Sequence, residues 1–80
     1  MKNKKRGELL KRRRIELGLT QAAVAASCSV DRSAVAHWER GVMMRAMHAI
    51  VLSTELNLEI LAMVRGEYEP KAQFINREKQ

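Results

Sequence analysis

Within the stretch RSAVAHWERG, residues 32 to 41, a guanidinium (Arg32), a hydroxyl (Ser33), an imidazole (His37) and a carboxylate (Glu39) crowd into two helical turns. On a wheel of about 100° per residue, Ala34, Val35 and Trp38 share one arc, and Arg32, Ser33, Ala36 and His37 fall on the opposite arc. The first arc demands a core. The second sets donors, an acceptor and a small apolar surface side by side, the mixture that can read base edges and thymine methyls in a DNA major groove. A solvated helix face has the same look, so the surrounding chain has to decide between the two readings.

The charge distribution favours a polyanion. Residues 1 to 20 hold eight Lys/Arg against Glu8 and Glu16, which accounts for the whole formal charge of +6, while seven basic and seven acidic side chains balance over the rest of the 80 residues. Other chemistries find little support. His37 and His48 stand eleven apart with no carboxylate or thiol pattern beside them, so no metal site and no cofactor is expected. No Gly-rich phosphate loop occurs, and no nucleophile has an evident base, so no catalytic residue and no enzymatic activity is expected. Cys28 is the sole cysteine; it can form neither an internal disulfide nor a CxxC motif, and a small buried thiol is the expected role. The longest apolar runs, such as AAVAA, are far too short for a signal peptide or a membrane span, which points to the cytoplasm, with nucleoid association through DNA, and to no membrane partner.

The elements that must position these side chains follow from periodicity and punctuation. One short domain fits, with an aliphatic, methionine-filled core, since only three residues are aromatic. Residues 1–7 read as a flexible basic arm ending at Gly7. A first helix follows over about 8–17, placing at least one of Arg13 and Arg14 beside the core, where a buried guanidinium needs an acid. Thr20 is an N-cap for a second helix over 21–27, and Asp31 for a third from 32 to about 40, stopped by Gly41. Two short helices joined by a tight turn result. A fourth helix is expected over about 45–56 and a fifth within NLEILAMVRG, closed by Gly66.

Read together, LTQAAVAASCSVDRSAVAHWERG resembles the helix-turn-helix of the Cro/C1-type (Xre-type) repressors, and the likeness runs without gaps from about Leu10 to Gly66. The most specific marks are Thr20-Gln21, Ala25, Val30, Val35 and WERG at 38–41. The resemblance implies an all-α, five-helix, lambda-repressor-like domain over 8–66, with the helix-turn-helix at the second and third helices. It implies double-stranded DNA as partner, base contacts from Arg32, Ser33, Ala36 and His37, and phosphate contact by Gln21. It also implies a buried ion pair between Arg14 and Glu39. Departures qualify this pattern. Ser29 stands where the family usually has a turn glycine, and left-handed geometry at a non-glycine costs roughly 1–2 kcal/mol, so both a standard and a distorted turn are open. Ala23 replaces the acid of a capping box. VMM at 42–44 leaves only Arg45 as a second phosphate clamp and shifts that task to the arm, Lys4, Lys5 and Arg6 included.

Ile60, Met63 and Val64 exceed what a short fifth helix can bury in a small monomer, so a homodimer through them is expected, with two recognition helices about 34 Å apart on an inverted repeat. A dimeric repressor, its own promoter a natural target, is the leading reading. The alternative is an antitoxin of the same fold that also grips a protein partner through the tail, 67–80, where Tyr68, Phe74 and Ile75 lack an obvious core. An RNA reading ranks lower, because the exposed face carries no aromatic stacking platform.

Overall fold

A computed structural model describes residues 2–72. Five helices follow one another: α1 (Lys4–Glu16), α2 (Gln21–Cys28), α3 (Arg32–Glu39), α4 (Ala46–Glu55) and α5 (Ile60–Arg65). Among the described residues β pairing is limited to an isolated antiparallel bridge between Leu58 and Pro70, so the fold is the all-α, five-helix arrangement expected. Helix α2 packs on α3 and α4, α1 lies on α3 and α5, and α4 meets α5. Leu9 and Leu10 of α1, Val24 and Ala25 of α2, Val35 and Trp38 of α3, and Leu52, Leu56 and Met63 beyond them close one core. Trp38 is buried, its ring 5.4 Å from that of His48. Its role is to hold α3 down, and truncating such a buried ring typically costs about 3–5 kcal/mol. No helix among the described residues is long and apolar enough to cross a membrane.

The expected basic arm over 1–7 is, from Lys4 onward, the start of α1. The Asn3 side chain caps that helix by accepting from the Arg6 N–H at 2.9 Å, and the Asn3 N–H donates to the Gly41 carbonyl at 2.8 Å. Arg6 is buried and donates through Nη1 to the Val64 carbonyl at 3.1 Å and through Nη2 to the Gly41 carbonyl at 3.0 Å. Gly7 does not end the segment. It sits where α1 crosses the end of α3, so closely that a Cβ there would lie 2.5 Å from the Glu39 carbonyl oxygen and 2.7 Å from the Gly41 nitrogen. Proximity, not a turn, requires glycine at that position.

The remaining helix ends follow local chemistry. Thr20 caps α2, its hydroxyl accepting from the Ala23 N–H at 3.0 Å. Asp31 holds the cap position of α3 without a side-chain cap bond. Glu59 caps α5 by accepting from the Ala62 N–H at 2.8 Å, and this bond, with another from the Leu61 backbone, holds its carboxyl below the usual carboxylate range. Cys28 is buried, and burial, then the charge of Glu55, push its thiol up; a thiol kept protonated is inert packing.

The turn between α2 and α3 is closed rather than distorted. Ser29 adopts left-handed geometry (φ 58°, ψ 44°), and the Val30 N–H donates to the Ala25 carbonyl at 3.0 Å. The missing glycine is therefore felt as strain of about 1–2 kcal/mol at one residue, not as a changed path. Ser29→Gly should relieve that strain while adding about 0.5–1 kcal/mol of unfolded-chain entropy. A net gain of about 0.5–1 kcal/mol, seen as a higher midpoint in urea unfolding with an unchanged slope, is the expected outcome.

Candidate nucleic-acid interface

Helix α3 divides as its wheel requires. Val35 and Trp38 are buried and Ala34 is partly buried against the core, while Arg32, Ser33 and His37 are exposed and Ala36 is half-buried beside them. The four residues expected to face base edges thus share one accessible surface.

Behind that surface runs a hydrogen-bonded chain that starts inside the protein. Glu39, at the last turn of α3, accepts from Arg14 Nε at 2.6 Å and from Arg14 Nη2 at 3.2 Å. The side chains are only 12% and 6% exposed, Arg14 and Glu39 respectively, so the expected ion pair is formed and largely desolvated. Arg14 Nη1 also donates to the Leu19 carbonyl at 2.8 Å. Gln21 Nε2 donates to Glu39 Oε1 at 3.0 Å, and Arg32 Nη1 donates to Gln21 Oε1 at 3.0 Å. A carboxylate accepts only, so it fixes which end of the Gln21 amide faces it, leaving the amide oxygen to receive Arg32. The Gln21 side chain, expected at a phosphate, here bridges Glu39 and Arg32. The backbone N–H groups at the start of α2 remain beside it, with the positive end of the helix dipole.

The basic groups separate into two sets. Lys4 and Lys5 are exposed on the first turn of α1, and Arg45 is exposed at the cap position of α4 without a cap bond of its own. Arg6 is not part of that set: it is 2% exposed with both Nη atoms given to backbone carbonyls, and desolvation pulls its guanidinium below the usual arginine range. It is a tie between α1, the end of α3 and α5, not a phosphate ligand. Arg13 is likewise internal, donating through Nε to the Leu56 carbonyl at 2.9 Å with its guanidinium carbon 5.6 Å from the Tyr68 ring centre. Lys11 and Arg40, not singled out in the sequence, complete the exposed rim. With Lys2, Lys4, Glu8 and Glu39 they line a cleft of about 450 Å³ beside the end of α3. The spacing of Lys4, Glu8 and Lys11 along one helical face carried that signal, but only once α1 was known to start at Lys4.

A second surface is apolar. Met63, expected at a dimer interface, is 0% exposed and belongs to the core, while Ile60 and Val64 are partly buried against it. The helical period turns 60, 63 and 64 inward and leaves Leu61 outward, 63% exposed. Leu61 joins Ile50 and Met43 around a groove of about 350 Å³ floored by Met44, Ala49 and Val64. Of the expected partner-binding tail, Phe74 and Ile75 lie outside the described residues, and Tyr68 stacks on Arg13. Among the described residues no three His, Cys, Asp or Glu side chains gather as a metal site.

Comparison with known proteins agrees with this geometry. A family model described as Helix-turn-helix matches residues 10–62, a span that opens in α1 and closes in α5. No curated protein and no solved structure matches the chain.

The Arg14–Glu39 pair has a direct stability signature. Removing one member leaves the other charged and buried, at a typical cost of about 3–5 kcal/mol, so Arg14→Met and Glu39→Gln should each lower Tm by at least about 12 °C in a domain of this size. Calorimetry of the two single variants and the double variant measures this; the double variant should lose less than the two single losses together.

Proposed function

Because the chain belongs to the Cro/C1-type helix-turn-helix family of DNA-binding transcriptional regulators, we propose that it acts as a dimeric repressor, reading one half of an inverted repeat with each α3. The observation that carries this reading is the accessible face of Arg32, Ser33, Ala36 and His37 held by a buried ion pair and rimmed by free lysines. Arg32 takes the guanine-reading part, its fork matching O6 and N7, and Ala36 offers apolar contact to a thymine methyl. Phosphates are taken by the N-terminus of α2 beside Gln21, by Lys4 and Lys5, and by Arg45. The second copy docks on the apolar groove between α4 and α5, where Met43, Ile50 and Leu61 leave more hydrophobic surface in water than packing in one copy requires. Two such heads on one operator would shield a promoter from polymerase.

Selection of bound DNA from a random pool tests this reading. A two-fold symmetric motif is expected, and an unenriched pool would overturn it. Arg32→Ala should weaken the selected site more than random DNA, by about 1–3 kcal/mol. Lys4→Ala and Lys5→Ala should weaken both, each lost phosphate contact lowering the log-log salt slope by about 0.9. Arg6→Ala, by contrast, should lower Tm.

The dimer is tested separately. Ile50→Glu and Leu61→Glu replace exposed side chains, so the fold should persist by circular dichroism while sedimentation shows a monomer and affinity for the full inverted repeat falls toward that for a half-site. A monomeric wild type both free and on DNA would remove the dimer and leave the reading head intact.

A further inference from the structure

His37 is held more tightly than an exposed histidine needs to be. Its Nδ1 lies 2.8 Å from the Ser33 carbonyl oxygen, one turn back on α3. A carbonyl can only accept, so the proton of the neutral ring sits on Nδ1, and Nε2, across the ring and directed away from the helix backbone, carries a lone pair. Arg40 Nη2 lies 3.1 Å from the same Nδ1. Arg40 is a donor as well, so it makes no bond there once the proton sits on Nδ1, and the shorter contact to the fixed carbonyl decides the tautomer.

We infer that His37 reads, through its Nε2 lone pair, a base that donates in the major groove, the N4 amino of cytosine or the N6 amino of adenine, and that protonation of the ring turns the same residue into a reader of guanine. The inference rests on α3 being the recognition helix and goes further by assigning a hydrogen-bond polarity to one position of the site. Guanine and thymine offer only acceptors, O6, N7 and O4, on their major-groove edges, so a lone pair aimed at them is repelled. An imidazolium carries a second N–H at Nε2 and reverses the preference.

The charged group at the ring on α3 is Arg40, and Lys2, Lys4, Lys11, Glu8 and Glu39 line the cleft beside Arg40. Helix α2 brings no charged side chain, and its only titratable group, Cys28, is buried. His48 of α4 is turned to Trp38.

Selection from random DNA with wild type, His37→Ala, His37→Gln and Arg32→Ala, at about pH 8 and about pH 5.5 on either side of the histidine range, tests this. At the higher pH one motif column should prefer adenine or cytosine by about fivefold, the low end for a base contact because a single bond is made. His37→Ala should flatten that column alone, and Arg32→Ala a different one. At the lower pH guanine should rise in the His37 column for wild type but not for His37→Gln, whose amide does not titrate. A His37 column that favours guanine or thymine at the higher pH overturns the inference. So does a motif whose Arg32 column persists with no column depending on His37, an outcome that leaves DNA reading by α3 standing. A pool with no enriched motif removes both.

Discussion

The arrangement depends on one carboxylate taken out of water. Glu39 is 6% exposed, and an ion so placed is tolerated only when its lone pairs are met by donors of fixed position. Those donors come from two other helices, Arg14 on α1 and Gln21 on α2. A single group at the end of α3 therefore fixes three helices relative to one another. An apolar contact would tolerate sliding by an ångström or more, whereas the three bonds to Glu39 do not. Buried ion pairs often add little net stability; what this one supplies is register, carried outward through Gln21 to Arg32.

The same logic sorts the cations of the first twenty residues. The three with internal partners, Arg6, Arg13 and Arg14, are all arginines, each donating to carbonyl or carboxylate oxygens. The exposed ones are Lys2, Lys4, Lys5, Lys11 and Arg12. A guanidinium is weakly hydrated and presents several donors in a rigid fork, so it can enter a packed region if carbonyls await it. An ammonium is strongly hydrated and stays in water. A run that looks uniform as charge is thus two populations. One ties α1 to the ends of α3, α4 and α5, and the other is available to a polyanion.

Much of this was legible in the sequence. The wheel of α3 separated Trp38 from His37 because a 3.6-residue period needs only local geometry. Thr20, Gly41 and Gly66 marked helix ends by local chemistry, and the resemblance supplied the Arg14–Glu39 pair. What failed was non-local. Gly7 read as a stop because glycine usually is one, yet its reason is the backbone of Glu39 and Gly41, more than thirty residues away in sequence. Arg6 reads as an arm residue from its neighbours in sequence, whereas the Gly41 and Val64 carbonyls that hold it come from far along the chain. The number of apolar residues in α5 does not tell which face each takes; helical phase puts Met63 inside and leaves Leu61 exposed. The Gln21–Arg32 contact links the starts of two helices across a turn, a distance no periodicity encodes.

The contrast between ordered and free side chains matches the two tasks of a reading head. A base edge is recognised only if donor and acceptor meet within a few tenths of an ångström, and in the proposed reading Arg32 and His37 meet that demand by being tethered without DNA, one to Gln21 and the other to the Ser33 carbonyl. Immobilising such a side chain at an interface typically costs about 0.5–1.5 kcal/mol. Tethering moves that cost from binding into folding, where it is shared by the network anchored at Glu39. A phosphate is a diffuse charge that can be approached from many directions, and a lysine held in advance would gain little by it. Rigidity is concentrated where, in the proposed reading, geometry carries information, and the exposed lysines of α1 stay free for the proposed phosphate contacts.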